Sequence, residues 1–372
     1  MKRKISVFLS VALLVLSVGN FTVIAAEVVV APAPVRVDGI SLSNEKYNPI
    51  WNNLYNRVLV KSEFFADYFG AEVTTAGSVI TISKNGHSIS FTESEKRFVM
   101  DGIGGRNLES ENLVYDGEFY LPLRFMSEAL GAIVDWTDSL ASVTTGSISL
   151  PDEAAQYLKG VTLFDQSTIR LEGEKIVYID PYRIAGEPHD GDVILITHTH
   201  TDHFDIDSIK KVMKESAVIL IAGEGGVARA EENGLKNVQS VVPNSEYTLD
   251  GISVKTIPAY NTAAERQNHR PELNFVGYIV EMNGVTYYSA GDTDYIEDMN
   301  GLDVDVAFLP IDGRFNMDET EAARAANAIA PKIAVPYHFN NFDSEAKARE
   351  FIALLDDEII GVIMTFRMYD NK

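Results

Sequence analysis

The sequence predicts a two-part chain of mixed α and β structure: a smaller α+β repeat followed by a larger α/β region. Three observations lead there. The chain has 372 residues and 46% apolar composition, enough for two cores. One sequence unit recurs between Ile40 and Thr145. Beyond Pro151, short apolar runs alternate with amphipathic segments of helical period.

Residues 1–26 have the pattern of a secretory signal. Lys2, Arg3 and Lys4 are the charged end, Ile5 to Val18 the apolar run, and Val23 to Ala26 the cleavage region. An uncleaved membrane anchor is the alternative, against which stand Asn20 and the small residues at Ala25. After cleavage no stable membrane span is expected. The Pro/Ala-bearing stretch 27–38 reads as a linker. The repeat, spanning residues 39–147, then sets Leu59-Val60, Phe64-Phe65, Tyr68 to Ala71 and Val73 beside Tyr120-Leu121, Phe125-Met126, Ala129 to Ala132 and Val134. Each unit reads as strand, helix, glycine stop and strands, with Gly70 and Gly131 at the helix ends. Asn85-Gly86 is the turn of a hairpin between Ser78–Ser83 and His87–Phe91. His87 is the repeat's only histidine, so the unit offers no metal constellation.

Gly146 to Pro151 marks the boundary, and residues 152–372 form the second domain. Val161–Phe164, Ile169–Leu171 and Ile176–Ile179 suit antiparallel strands. Val193–Ile196 is a buried strand, and a helix follows from about Asp205 to Lys214, capped by Asp205 or Asp207. Further strands fall at Ala217–Ile221, Val238–Val242, Tyr247–Leu249 and Ile252–Ile257, with turn and helix at Gly223–Asn233. Phe275–Glu281 and Val285–Ala290 pair across Asn283-Gly284. Asp305–Leu309 and Ile333–Pro336 are short strands, Glu319–Ile329 and Ser344–Leu355 helices, and Gly361–Phe366 a closing strand.

The stretch ILITHTHTDHFD (194–205) carries the chemistry. His198, His200, Asp202 and His203 crowd a loop between a strand end and a helix. Buried together, they require a partner that satisfies them all, and a metal ion does so. In an extended segment His198 and His200 face the same side and can share one ion; Asp202 and His203 follow a turn and can reach a second. Imidazole and carboxylate without thiolate suit zinc, with manganese or iron also compatible. A glycine at Gly291 lets Asp292 approach closely enough to bridge two cations; Asp294 is the second candidate. His189 reads as a surface histidine, and Asp180 as either a turn residue or a hydrogen-bond partner for a ligating imidazole.

The HxHxDH word after a strand resembles the signature of the metallo-beta-lactamase superfamily, over about residues 160 to 370. IDPY (179–182), GDTD (291–294), LPIDG (309–313) and PYHF (336–339) resemble its ascorbate-6-phosphate lactonase-like branch. The resemblance implies a four-layer αβ/βα sandwich. It implies two divalent ions, with His198, His200 and Asp292 as ligands of one and Asp202, His203, Asp292 and His338 as ligands of the other. A water between them would lose its proton and attack a carbonyl or phosphoryl centre, with Asp202 orienting it or carrying its proton. Many members have a histidine just after Pro258, where this chain has Ala259, Tyr260 and Asn261. His269 is the imidazole nearby, either a ligand or a substrate contact; otherwise Asn261 gives a weak oxygen contact or the site has fewer ligands. Asp312, Arg314 and Asn316 lie on a strand-end loop and are candidates for substrate contact. FYLPLRFMSEALGAIVDW (119–136) resembles the copper amine oxidase N-terminal-like domain of exported Gram-positive proteins, read as a spacer or as an attachment to cell-wall polymer.

The expected function is that of a secreted or cell-wall-associated hydrolase acting on a small molecule with an ester, lactone or phosphodiester bond. The alternative is an exported, cell-wall-associated binding protein with a residual metal site. Redox chemistry of the two-iron kind is disfavoured because no flavin-binding segment is visible. Loss of Lys2, Arg3 and Lys4 leaves 28 basic against 54 acidic residues, a net charge of −26. With no basic run, this charge disfavours nucleic acid, and none is expected as a partner. There are no cysteines, so neither disulfides nor thiolate ligands contribute.

Overall fold

A computed structural model describes residues 30–42, 46–52, 56–95, 97–104, 112–137, 140–146, 150–164, 166–249, 251–339 and 344–364. The expected signal segment 1–26 lies outside them, as does the end of the expected closing strand after Met364. The chain forms two compact units. One comprises Met1–Lys84, Phe91–Lys96 and Glu109–Ile148, the other Asn85–Ser90, Arg97–Leu108 and Ser149–Lys372.

In the first unit the two copies of the repeat pair with each other. Strand Arg57–Lys61 runs antiparallel to Glu118–Pro122, with Val60 opposite Leu121. Each strand leads into a seven-residue helix, Glu63–Phe69 and Leu123–Ala129. Gly70 ends the first helix at φ 62°, a left-handed conformation that costs glycine little. The stretch 27–38, expected to be a linker, is instead folded in its described part, which holds strands Val30–Pro32 and Val35–Val37. The alternation in Val35-Arg36-Val37 is a strand pattern that the prolines obscured. Both valines are buried, and the strand lies parallel to Ala141–Val143.

The second unit contains two mixed sheets. The first has six strands in the order Val161–Leu163, Ile169–Glu172, Ile176–Ile179, Gly191–Ile196, Met213–Ala222 and Val238–Val241. Its first two pairings are antiparallel and its last three parallel. The second sheet repeats this plan with seven strands: Glu246–Leu249, Ile252–Pro258, Val276–Met282, Val285–Ser289, Val306–Pro310, Ile333–Tyr337 and Ile360–Gly361. Three antiparallel pairings precede three parallel ones. Asn283 and Gly284, at φ 56° and 76°, form the expected turn between its third and fourth strands.

Alternation along the strands separates the layers. Val193, Leu195 and Leu220 from the first sheet share one apolar core with Val276, Tyr278, Val280, Phe308 and Val335 from the second. The other face of the second sheet, through Ile279, Tyr288, Ala307 and Ala334, packs on Ala322, Ala326 and Ile329 of helix Glu319–Ile329 and on Ala348 and Phe351 of helix Ser344–Ala353. Alanines on that helix let it sit close to the sheet. The order helix, sheet, sheet, helix is the expected α/β sandwich, with helix Ile206–Val212 burying Ile209 and Val212 on the first sheet's side.

Two buried tyrosines fix strand ends, Tyr278 by reaching across the core to the first sheet and Tyr337 within the second sheet. Tyr278 donates to the carbonyl of Ile196, at the end of the motif strand (3.0 Å). Tyr337 donates to the carbonyl of Gly291 (3.2 Å). Phe308, at the centre of the shared core, is fully buried. Phe308→Ala is expected to destabilise the second unit by roughly 3–5 kcal/mol. Urea unfolding followed by fluorescence checks this, and a loss below about 1 kcal/mol would mean the shared core is not the main support.

Candidate metal centre

The cluster forms where parallel strands end, the usual place for a site in open α/β sheets. Strand Gly191–Ile196 ends at Thr197, whose N–H donates to Asp180 Oδ1 (2.8 Å) and whose hydroxyl donates to Oδ2 (2.6 Å). The chain then turns through His198, His200, Asp202 and His203 before Asp205 caps the next helix, accepting from Asp207 N–H. Strand Val285–Ser289 leads to Asp292, and strand Ile333–Tyr337 delivers His338. Gly291 has φ 68°, and a Cβ there would stand 3.0 Å from the carbonyl oxygen of Val276. Only glycine combines that conformation with that approach.

Three groups of side chains have ligand atoms within 4.8 Å of one another: His198, His200 and His269; His198, His203 and Asp292; and Asp202, His203 and His338. The structure thus gathers all seven candidate ligands, including His269 from the long loop after Pro258. Asp292 joins the groups through both oxygens. Oδ1 lies 3.2 Å from His338 Nε2 and 3.6 Å from His203 Nε2, while Oδ2 lies 3.6 Å from His269 Nε2. Asp294 turns away from the cluster and receives Thr262 N–H (2.7 Å) and Ala263 N–H (2.9 Å) instead.

Neighbouring oxygens orient the imidazoles. His203 Nδ1 lies 2.7 Å from Asp180 Oδ2, which leaves Nε2 facing the cluster. Phe275 packs against the rings of His198 and His200, at 5.0 and 5.7 Å between centroids. Among the described residues, His198 Nε2 and His203 Nε2 are buried without a hydrogen-bond partner. Unsatisfied buried nitrogens of this kind are costly, and a bound cation relieves both. Imidazole lone pairs and carboxylates converging on orphaned atoms therefore fit a metal.

The electrostatics follow from burial and proximity. Burial opposes ionisation of Asp292, but His338 and His203 outweigh it and hold the carboxyl well below its usual range. Burial also works against protonation of His203, yet Asp292 and Asp180 outweigh it and raise that imidazole well above its usual value. His198 is held well below by burial, with His203 adding to the effect. Burial pushes His269 down to about 4.

Of the proposed substrate contacts, Asn316 is buried and donates to Asp292 Oδ1 (3.2 Å), with His338 Nδ1 also 3.2 Å away. This places it beneath the cluster. Arg314 is exposed and stacks over Phe315, 4.7 Å from the ring centre. His189 is exposed, as expected. Sequence reasoning missed Gln166, whose Nε2 donates to Asp202 Oδ2 (3.0 Å) and lies 2.9 Å from His338 Nε2. Gln166 and His338 have φ 58° and 55°, conformations disfavoured for such residues and frequent at functional sites. No local pattern signals Gln166, which lies 172 residues from His338.

This fold and cluster define a protein of the metallo-beta-lactamase class. Residues 160–338 match the beta-lactamase superfamily domain, and residues 36–145 match the copper amine oxidase N-terminal domain. The chain belongs to the UPF0173 metal-dependent hydrolase family. It is 32% identical over 219 residues to the Thermococcus kodakarensis member, an alignment covering 55% of this chain and 95% of the relative. It is 28% identical over 219 residues to the Listeria innocua member, covering 55% and 96% respectively. Among solved structures it is similar to Igni18, a metallo hydrolase from Ignicoccus hospitalis, at 23% identity and a TM-score of 0.45, covering 55% of this chain and 94% of that one.

In Asp180→Asn, His203 loses the carboxylate that orients it. Metal affinity is expected to fall roughly 10- to 100-fold. Competition with a chromophoric chelator measures this, and an unchanged affinity would remove Asp180 from the site.

Proposed function

We propose that this metal-dependent hydrolase is secreted and uses two divalent ions to cleave an ester, lactone or phosphodiester bond in a small molecule. The two-ion reading rests on Asp292, whose two oxygens face different histidines: His203 and His338 on one side, His269 on the other. His198, His200, His269 and Asp292 would hold one ion, and Asp202, His203, Asp292 and His338 the other. The thiolate-free donor set suits zinc and is also compatible with manganese or iron. Secretion is proposed from the signal pattern of residues 1–26.

Divalent ions bound there would supply Lewis acidity and a water that ionises near neutral pH. The protein's own groups prepare the site. Asp180 sets the tautomer of His203, and Asn316 braces Asp292. Asp202 has a side chain 35% exposed, whereas the Asp292 side chain is 4% exposed. This exposure supports Asp202 as the carboxylate that accepts a proton from the attacking water and returns it to the leaving group. Gln166 holds the Asp202 carboxylate in place through its amide.

Metal analysis of the purified mature protein is expected to find two equivalents, falling in both Asp292→Ala and His203→Ala. A single equivalent insensitive to His203→Ala would refute the two-ion reading. A panel of lactones, esters and phosphodiesters is expected to yield a substrate whose hydrolysis stops on chelation and resumes with zinc. For that substrate, Asp202→Ala is expected to lower kcat by roughly 100- to 10,000-fold. Metal-replete protein inactive on the whole panel would favour the exported binding-protein reading.

A further inference from the structure

Asp294 is fully buried, two residues beyond Asp292, and faces the opposite way. Its Oδ1 pairs with Arg266 Nε (2.7 Å) and accepts from Asn261 Nδ2 (3.0 Å). Its Oδ2 accepts from Thr262 N–H (2.7 Å), Ala263 N–H (2.9 Å) and the Thr262 hydroxyl (3.3 Å). Arg266 continues to Glu321 Oε2 (2.5 Å), on helix Glu319–Ile329. The Asp294 carboxylate thus gathers loop residues Asn261, Thr262, Ala263 and Arg266, and Arg266 ties them to a helix of the sandwich.

Asn261 transmits this constraint to His269. Its N–H donates to the His269 carbonyl (2.6 Å), and its Oδ1 accepts from His269 N–H (3.0 Å). The same Oδ1 lies 3.2 Å from His269 Nδ1, as does the Phe315 carbonyl. Both neighbours of Nδ1 are oxygen acceptors, so Nδ1 carries the proton and Nε2 keeps its lone pair. Nε2 points into the cluster, 3.1 Å from His200 Nδ1 and 3.6 Å from Asp292 Oδ2.

We infer that Asp294, Arg266 and Asn261 form a buried clamp that positions His269 as the third imidazole of the ion held by His198 and His200. This rests on the metal-centre reading above and assigns Asp294 and Asn261 as positioning residues. The physical reason for a clamp is the loop. His269 sits on no strand or helix, so fixing its ring requires polar anchors in place of a regular backbone. Asn261, near the place where the family resemblance would put a histidine, orients an imidazole eight residues further on.

The test is titration of the metal-free full-length protein with cobalt(II), following visible absorption, and with zinc against a chelator. Wild type, Asp294→Asn, Asn261→Ala and His269→Ala are compared. In all three variants the affinity for one equivalent is expected to fall, by roughly 10- to 100-fold in Asp294→Asn and Asn261→Ala. The cobalt spectrum of that equivalent should change while the other stays as in wild type. Wild-type affinity and spectrum in Asp294→Asn and Asn261→Ala, with one equivalent lost in His269→Ala, would overturn the clamp and leave His269 a ligand. Two equivalents at wild-type affinity in His269→Ala would overturn both. Should Asp294→Asn fail to fold, Asn261→Ala decides alone, because it keeps the Asp294–Arg266 pair.

Discussion

Two buried imidazole nitrogens without partners, His198 Nε2 and His203 Nε2, set the terms for the rest of this structure. Polar atoms so placed oppose folding unless something binds them. Around them the protein spends many polar contacts on orientation: Asp180 on His203, Asn316 on Asp292, Asn261 on His269. The oxygens surrounding the cluster turn the ligand atoms inward. The arrangement is organised for a cation, and the apolar core between the sheets supplies the rigid base that keeps these groups converged.

The two sheets repeat one plan, antiparallel hairpins followed by parallel strands, and both deliver side chains from strand ends. This accounts for the spread of the ligands along the chain. His198 to His203 follow a strand of the first sheet, whereas Asp292 and His338 follow strands of the second. Tyr278 and Tyr337, each bonding a carbonyl beside the cluster, couple the core to the site. Gln166, Asp180 and His338, which all touch the cluster or its ligands, have positive φ. Hydrolytic sites need such fixed geometry, because a ligand displaced by a fraction of an ångström no longer shares its ion.

Legibility in the sequence followed the range of the interactions. The strand at Val193–Ile196, the loop after it and the helix cap at Asp205 are local patterns. So are the Asn283-Gly284 hairpin and the helix Glu319–Ile329, whose observed ends are the expected ones. The strands at Val30–Pro32 and Val35–Val37 were hidden because prolines and alanines suggested a linker. Their pairing partners lie far along the chain, at Ile50–Asn52 and Ala141–Val143. The roles of Gln166 and Asn316 were illegible for a similar reason: each depends on contacts with groups distant in sequence.

By itself, the sequence determined the ligand types, the HxHxDH loop and the alternation of strands and helices that makes an α/β sandwich. These follow from side-chain chemistry and from periods of two and 3.6 residues, which operate over a few neighbours. The sequence ranked Asp292 ahead of Asp294 and offered His269 as a nearby imidazole, but only the tertiary structure brought Asp292 and His269 into the cluster and turned Asp294 away. Asp292 faces inward and Asp294 outward because one meets histidines and the other meets Arg266 and the loop's N–H groups. His269 arrives from an irregular loop whose path is set by those same long-range hydrogen bonds, for which no local spacing rule exists.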